Sequence, residues 1–157
     1  MRRLSGVLLA AALIVLPAFS QGDAGGFGRA SAQGQGVTFD GDTALWTVAI
    51  KGDKTADFEQ ILGKLREALT KSEKPERKQQ GAGWRVVKTP KPLPDGTVAY
   101  VHVINPVVKN ADYSIMTILY EGFTDPTEQK ALYDLYRGAF DKNLGAAGYT
   151  QVADLSK

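Results

Sequence analysis

His102 is the single histidine of a 157-residue chain that contains no cysteine. Imidazole titrates near neutrality without tuning, so His102 is the candidate catalytic residue, as general base or haem ligand. It lies in TVAYVHVINP, Thr97 to Pro106, where Val98, Tyr100, His102 and Ile104 share one set of alternate positions. Trp46 in ALWTVAIK and Trp84 at the head of the next apolar run are the two tryptophans. Trp46, Trp84, Tyr100, His102 and Ile104 therefore form a candidate ligand pocket for a flat apolar molecule, or the centre of a dimer interface. The interface is the favoured reading, and for a lone histidine among valines a hydrogen-bonded packing role outweighs a catalytic one.

Other chemistry is sparse. One imidazole and no thiolate do not make a zinc site, so no metal and no cofactor is expected. Asp40-Gly41-Asp42 has the opening of a calcium loop, but the further oxygen ligands and closing glutamate do not follow, and a turn accounts for it. Ser114 lacks a nucleophile elbow and would need His102 beside it. Glu121 and Asp125 have the types of an acid–base pair, but a loop and a helix cap explain both. There is no nucleotide-binding glycine loop and no internal repeat.

These residues are positioned by a chain that reads in three parts. Residues 1–20 have the pattern of a secretory signal peptide: Arg2 and Arg3, an apolar run from Leu4 to Leu16, then Pro17, with Ala18 and Ser20 placing cleavage after Ser20. Ala30-Ser31-Ala32 is a second small triplet, farther from the apolar run. The run is shorter than the ~20 residues a membrane span needs, and without cysteine no lipid anchor can be attached. An exported location, periplasmic or extracellular, and no stable membrane anchor after cleavage are expected. Losing two arginines leaves 17 basic against 17 acidic residues. A neutral chain gives no basis for nucleic-acid binding. Residues 21–36, rich in Gly, Ala, Ser and Gln, are expected to be a flexible linker. Residues 37–157 then suffice for a single domain stabilised by its core alone.

Within that domain, Ala44 to Lys51 and Thr97 to Pro106 lack polar alternation, so both read as central strands covered on two sides. Phe58, Ile61, Leu62, Leu65 and Leu69 form a helical stripe after Thr55. Lys71 to Gln80, KSEKPERKQQ, reads as a solvated helix end and loop, with contact to a ligand or partner the less favoured role for its cations. Trp84 to Lys88 is the second strand, joined to the third by the proline-rich hairpin Thr89 to Gly96. Ala111 to Gly122 suits helix or strand, and a short buried helix begun by Asp112 is preferred. Asp125-Pro126 with Glu128 predicts a helix start, and Leu132, Leu135, Tyr136, Ala139, Phe140 and Leu144 its inward stripe. Gly145 and Gly148 end that helix, and Tyr149 to Leu155 is expected as the last edge strand.

The expected fold is thus α+β: a ferredoxin-like βαββαβ order with a four-stranded antiparallel sheet, two main helices on one face and an extra short helix before the second. Across Ala44 to Leu155 this element order resembles the dimeric alpha-beta barrel superfamily, which includes antibiotic biosynthesis monooxygenases and haem-degrading monooxygenases. The haem-degrading members use an asparagine, a tryptophan and a helical histidine, whereas His102 falls on a predicted strand, so no role transfers to it. KPERKQQGAGW and INPVVKNADY also resemble segments of small exported bacterial proteins of unknown function. The resemblance implies a homodimer paired through the open sheet face, where Trp46, Trp84, Tyr100 and His102 would meet. Enzyme or not is left open. A non-catalytic homodimer, with a small apolar ligand as a possible guest, is expected first, with a monooxygenase-like enzyme and an envelope partner-binding module as alternatives.

Overall fold

The computed structural model describes residues 36–155. The expected leader, the expected linker except Gly36, and the last two residues lie outside the described residues. The chain runs β1 (Thr43–Ile50), a 3-10 turn (Gly52–Lys54), α1 (Thr55–Lys71), α2 (Pro75–Gly83), β2 (Trp84–Lys88), β3 (Val98–Ile104), α3 (Ile115–Gly122), α4 (Pro126–Ala139) and β4 (Phe140–Tyr149). The four strands make one antiparallel sheet in the order β2-β3-β1-β4. The two strands without polar alternation, β1 and β3, are its central pair. No helix among the described residues is long and apolar enough to cross a membrane.

Period-two alternation sends Ala44, Trp46, Val48 and Ile50 of β1 and Val98, Tyr100, His102 and Ile104 of β3 into the core. There they meet Phe58, Ile61, Leu65 and Leu69 of α1, Ile118 and Leu119 of α3, and Leu132 of α4. The three- and four-residue spacing of the α1 stripe explains why one helix supplies four of these side chains. Leu45, Thr47, Val87, Val101 and Val103 point away from that core, and Leu45 and Val87 stay exposed. Asp125 caps α4 as expected, its carboxylate accepting from the Glu128 amide at 2.8 Å, with Pro126 at the first turn. Glu128 does not complete a capping box: its carboxylate takes Lys64 of α1 at 2.9 Å and ties the two helices together.

Three local expectations are corrected. Lys71 to Gln80 is not a solvated helix end and loop: α1 ends at Lys71 and a new helix runs Pro75–Gly83, because Arg77 and Gln80 supply its buried face and a polar pair leaves no apolar stripe to read. Helix α3 begins at Ile115, not Asp112. The Asp112 carboxylate instead accepts from the amides of Ser114 and Val37, both at 2.8 Å, stapling the segment before β1 to this loop. The last strand is Phe140–Tyr149, and residues 150–155 are not strand. Phe140 pairs with Ile50 and packs on the core from the strand, so its apolar side chain belongs to period two rather than to the end of α4. Weak alternation and two glycines, Gly145 and Gly148, had hidden β4, whose pairing with β1 carries register shifts between Thr47 and Val48 and between Ala49 and Ile50.

Gly148 closes this last pairing opposite Ala44. A Cβ there would lie 1.8 Å from the Asp40 carbonyl oxygen, which is backbone and cannot turn aside. Gly148→Ala is expected to destabilise by about 1–3 kcal/mol, since this clash outweighs the ~0.4–1 kcal/mol that alanine gains through the unfolded chain. Urea denaturation measures it, and an unchanged midpoint would show that the β4 end moves freely away from the Asp40 turn.

Candidate functional site

Helix α2 passes into β2 with no connecting residue, so α2 stays beside the sheet's edge strand while α1 lies across the core. The two helices touch at Gly81, where a Cβ would stand 3.2 Å from that of Leu69. Between them and β2 runs an open groove of about 820 Å³. Its apolar lining comes from Leu62, Leu65 and Leu69 of α1 and Trp84 and Val86 of β2, with Ala82 on the α2 side. Ordinary small-molecule pockets span about 300–1,000 Å³, so the volume suits a ligand of modest size.

Arg77 holds the α2 wall. It is 4 % exposed, and its guanidinium donates to both Glu121 carboxylate oxygens, at 3.0 and 2.9 Å, to Gln80 Oε1 at 2.8 Å and to the Asp112 carbonyl at 2.5 Å. Gln80, fully buried, donates to the same carbonyl at 3.1 Å. A planar fork matches this set of acceptors where a lysine could not. The Arg77 pairing also holds the Glu121 carboxyl below its ordinary range.

Charge at the groove differs from charge around it. Lys64, Lys71, Lys74 and Lys88 each pair with a carboxylate. Arg66 of α1 and Lys78 of α2 line the groove, and their side chains make no ion pair or hydrogen bond with the described residues. No carboxylate lines it.

Behind Trp84 lies His102. The Trp84 indole N–H donates to His102 Nδ1 at 3.0 Å, which places the proton of a neutral ring on Nε2, a buried atom without a hydrogen-bond partner among the described residues. Trp46 stacks on the imidazole with centroids 4.7 Å apart, and Phe58 presents a near-perpendicular ring at 6.3 Å. Burial without a counter-charge pushes the His102 pKa down to about 4, so the ring is neutral at pH 7. Neither nitrogen reaches solvent, and the ring's chemistry in this state is that of a packed aromatic with one satisfied acceptor.

Of the five predicted pocket or interface residues, Trp84 alone lines the groove. Trp46, Tyr100, His102 and Ile104 lie buried under the helices, on the opposite face from the one expected. Alternation sorts residues into two faces but does not say which face the helices take. Here the helices take the face bearing the rings, whose larger apolar area gains more from burial. The Tyr100 hydroxyl donates to Glu59 at 2.8 Å, and burial, aided by that carboxylate, raises its pKa. Ser114 donates to Asp112 and Glu121 serves Arg77, so both act in structure. Arg66 and Val86 were missed, Lys78 was covered only by the less favoured ligand or partner role of the Lys71–Gln80 cations, and the groove leucines read only as core. The available signal was the breadth of the α1 stripe, in which Leu62 exceeds what one packing contact needs.

No known protein family, curated protein or solved structure matches this chain. What the domain can do therefore follows from the chemistry of its own groove. Among the described residues no group of three or more His, Asp or Glu side chains is arranged to hold a metal ion. Around the groove the side chains with hydrogen-bonding groups are Arg66, Lys78, Thr70 and Trp84, and the Trp84 indole is already taken by His102.

Proposed function

We propose that this is a non-catalytic, exported binding domain that holds a small apolar ligand in the α1–α2–β2 groove. The observation that carries the reading is the lining: five large apolar side chains around about 820 Å³, with no carboxylate, thiol or imidazole to act as nucleophile or acid–base pair. The monooxygenase-like alternative needs His102 to meet a ligand, and a sealed, neutral ring with its acceptor engaged does not support that. The fold is read as ferredoxin-like, supported by the strand order β2-β3-β1-β4 and by helices that intervene between β1 and β2 and between β3 and β4. In the same reading a second copy covers the open sheet face. Leu45, Val87, Val101 and Val103 give that face an apolar centre for a two-fold partner to cover, with Arg85 beside Val103 at its edge.

Native mass spectrometry of protein expressed from the full coding sequence reads subunit number and retained ligand together. A dimer is expected, and the neutral fluorophore N-phenyl-1-naphthylamine should bind one per subunit. Ala82→Trp, which fills the groove from an exposed position on α2, should weaken that binding by at least about tenfold without changing subunit number. Binding that ignores Ala82→Trp, or an absence of binding, would remove the ligand reading. A bare monomer would favour a partner-binding module instead.

A further inference from the structure

We infer that the ligand of the groove is a single-chain amphiphile of the fatty-acid class, its chain along the leucines and its anionic carboxylate held by Arg66 and Lys78. This rests on the groove being a ligand site, and it names the ligand's chemistry.

The lining is divided by chemistry. Leu62, Leu65, Leu69, Trp84 and Val86 offer contact area, and the two neutral polar groups of the lining are engaged, the Trp84 indole N–H with His102 and the Thr70 hydroxyl with the Arg66 carbonyl. A ligand rich in polar groups would leave most of them unpaired against such a surface. A methylene chain loses nothing there. The two cations come one from each helix, and neither is balanced by an acid of the described chain.

Another cavity of the described domain shows what a balanced site looks like. It measures about 350 Å³ and is lined by Lys71, Lys74 and Arg77 together with Glu73 and Glu121. There Lys74 and Arg77 are met by Glu121, and Lys71 is met by Glu67. The groove has the cations without the acids, so it is complementary to an anion joined to an apolar body. Arginine's fork suits a carboxylate through two parallel bonds, and lysine adds a point charge.

Protein expressed from the full coding sequence, titrated calorimetrically below micellar concentrations, compares dodecanoate with dodecan-1-ol and dodecyltrimethylammonium. Dodecanoate is expected to bind about tenfold more tightly than the alcohol, the gain of a charge-assisted hydrogen bond in a partly dry site. Arg66→Gln with Lys78→Gln should bring dodecanoate down to the alcohol's affinity and leave the alcohol unchanged. Both side chains are exposed, and circular dichroism checks that the double variant folds as the parent does. Equal affinity for acid and alcohol, or preference for the ammonium, would overturn the headgroup inference while leaving the apolar groove intact. If no chain binds, or if Ala82→Trp leaves dodecanoate affinity unchanged, the groove reading falls as well. Attachment to phosphatidylglycerol vesicles that neither dodecanoate nor Ala82→Trp relieves would assign the cations to a bilayer surface and overturn the inference.

Discussion

Arg77→Ala is expected to lower stability by about 2–4 kcal/mol, because it removes the buried member of a partly exposed ion pair together with the donor on which the buried Gln80 oxygen depends. The guanidinium makes four hydrogen bonds, at 2.5 to 3.0 Å: two to Glu121, one to Gln80 Oε1 and one to the Asp112 carbonyl. After substitution Gln80 Oε1 remains fully buried with no donor, and Glu121 keeps only Lys74, at 3.2 Å. A domain of this size holds about 5–15 kcal/mol in all, so the loss is a large share of it. Urea denaturation with circular dichroism measures the change. A loss below about 1 kcal/mol would show that α2 is held by its direct continuation into β2 and not by this network. Since α2 forms one wall of the groove, the variant should also bind N-phenyl-1-naphthylamine more weakly, even under conditions where it stays folded.

Acidification from pH 6.5 to about 4 is expected to cost about 3 kcal/mol through His102 alone. The folded ring resists protonation down to about 4 because it is desolvated between Trp46, Trp84 and Phe58 with no charge beside it. The unfolded ring takes up its proton near 6.5. Between these values the unfolded chain binds the extra proton, so stability is full above 6.5, falls as pH drops toward 4, and loses nothing more from this group below that. The carboxyls of Glu59, Glu67, Glu121 and Asp95 are all held low by lysine or arginine partners, so their contributions are lost at lower pH, as acid titrates them. His102→Phe keeps a ring in the stack and removes the titration. Its stability should be nearly flat from pH 6.5 to 4.5, offset by the bond lost to the Trp84 indole. Parallel slopes for parent and variant would show that the imidazole is not sealed from water or is already charged in the fold.

How much of this was legible varies by element. The Asp125-Pro126 helix start could be read because a cap is a local event: one carboxylate, one amide, three residues apart. The α1 stripe and the central strands were legible for a related reason, since burial repeats with the period of the backbone. Helix α2 was not, because its buried face is Arg77 and Gln80, which qualify as core only once Glu121 and the Asp112 carbonyl arrive from distant parts of the chain. Strand β4 was misplaced because its glycines, alanines and polar residues carry little pattern, and what makes Phe140–Tyr149 a strand is the waiting edge of β1. His102 stood out as the sole imidazole, yet its neutrality and its bond to Trp84 depend on a neighbour 18 positions away.

The sequence by itself determined the class of the domain, its central strands, two of its helix faces and the residues that would share a sheet face. Those properties follow from backbone periodicity and local capping, and both act within a few residues. Tertiary structure alone decided which face the helices cover, and with it that Trp46, Tyr100, His102 and Ile104 are core. It also decided that Arg66 and Lys78 stand unpaired beside an apolar groove. Both faces of β1 and β3 are apolar enough to be covered, so the choice lay with the packing of whole layers. A groove is a gap between elements, and no spacing along one chain segment encodes it.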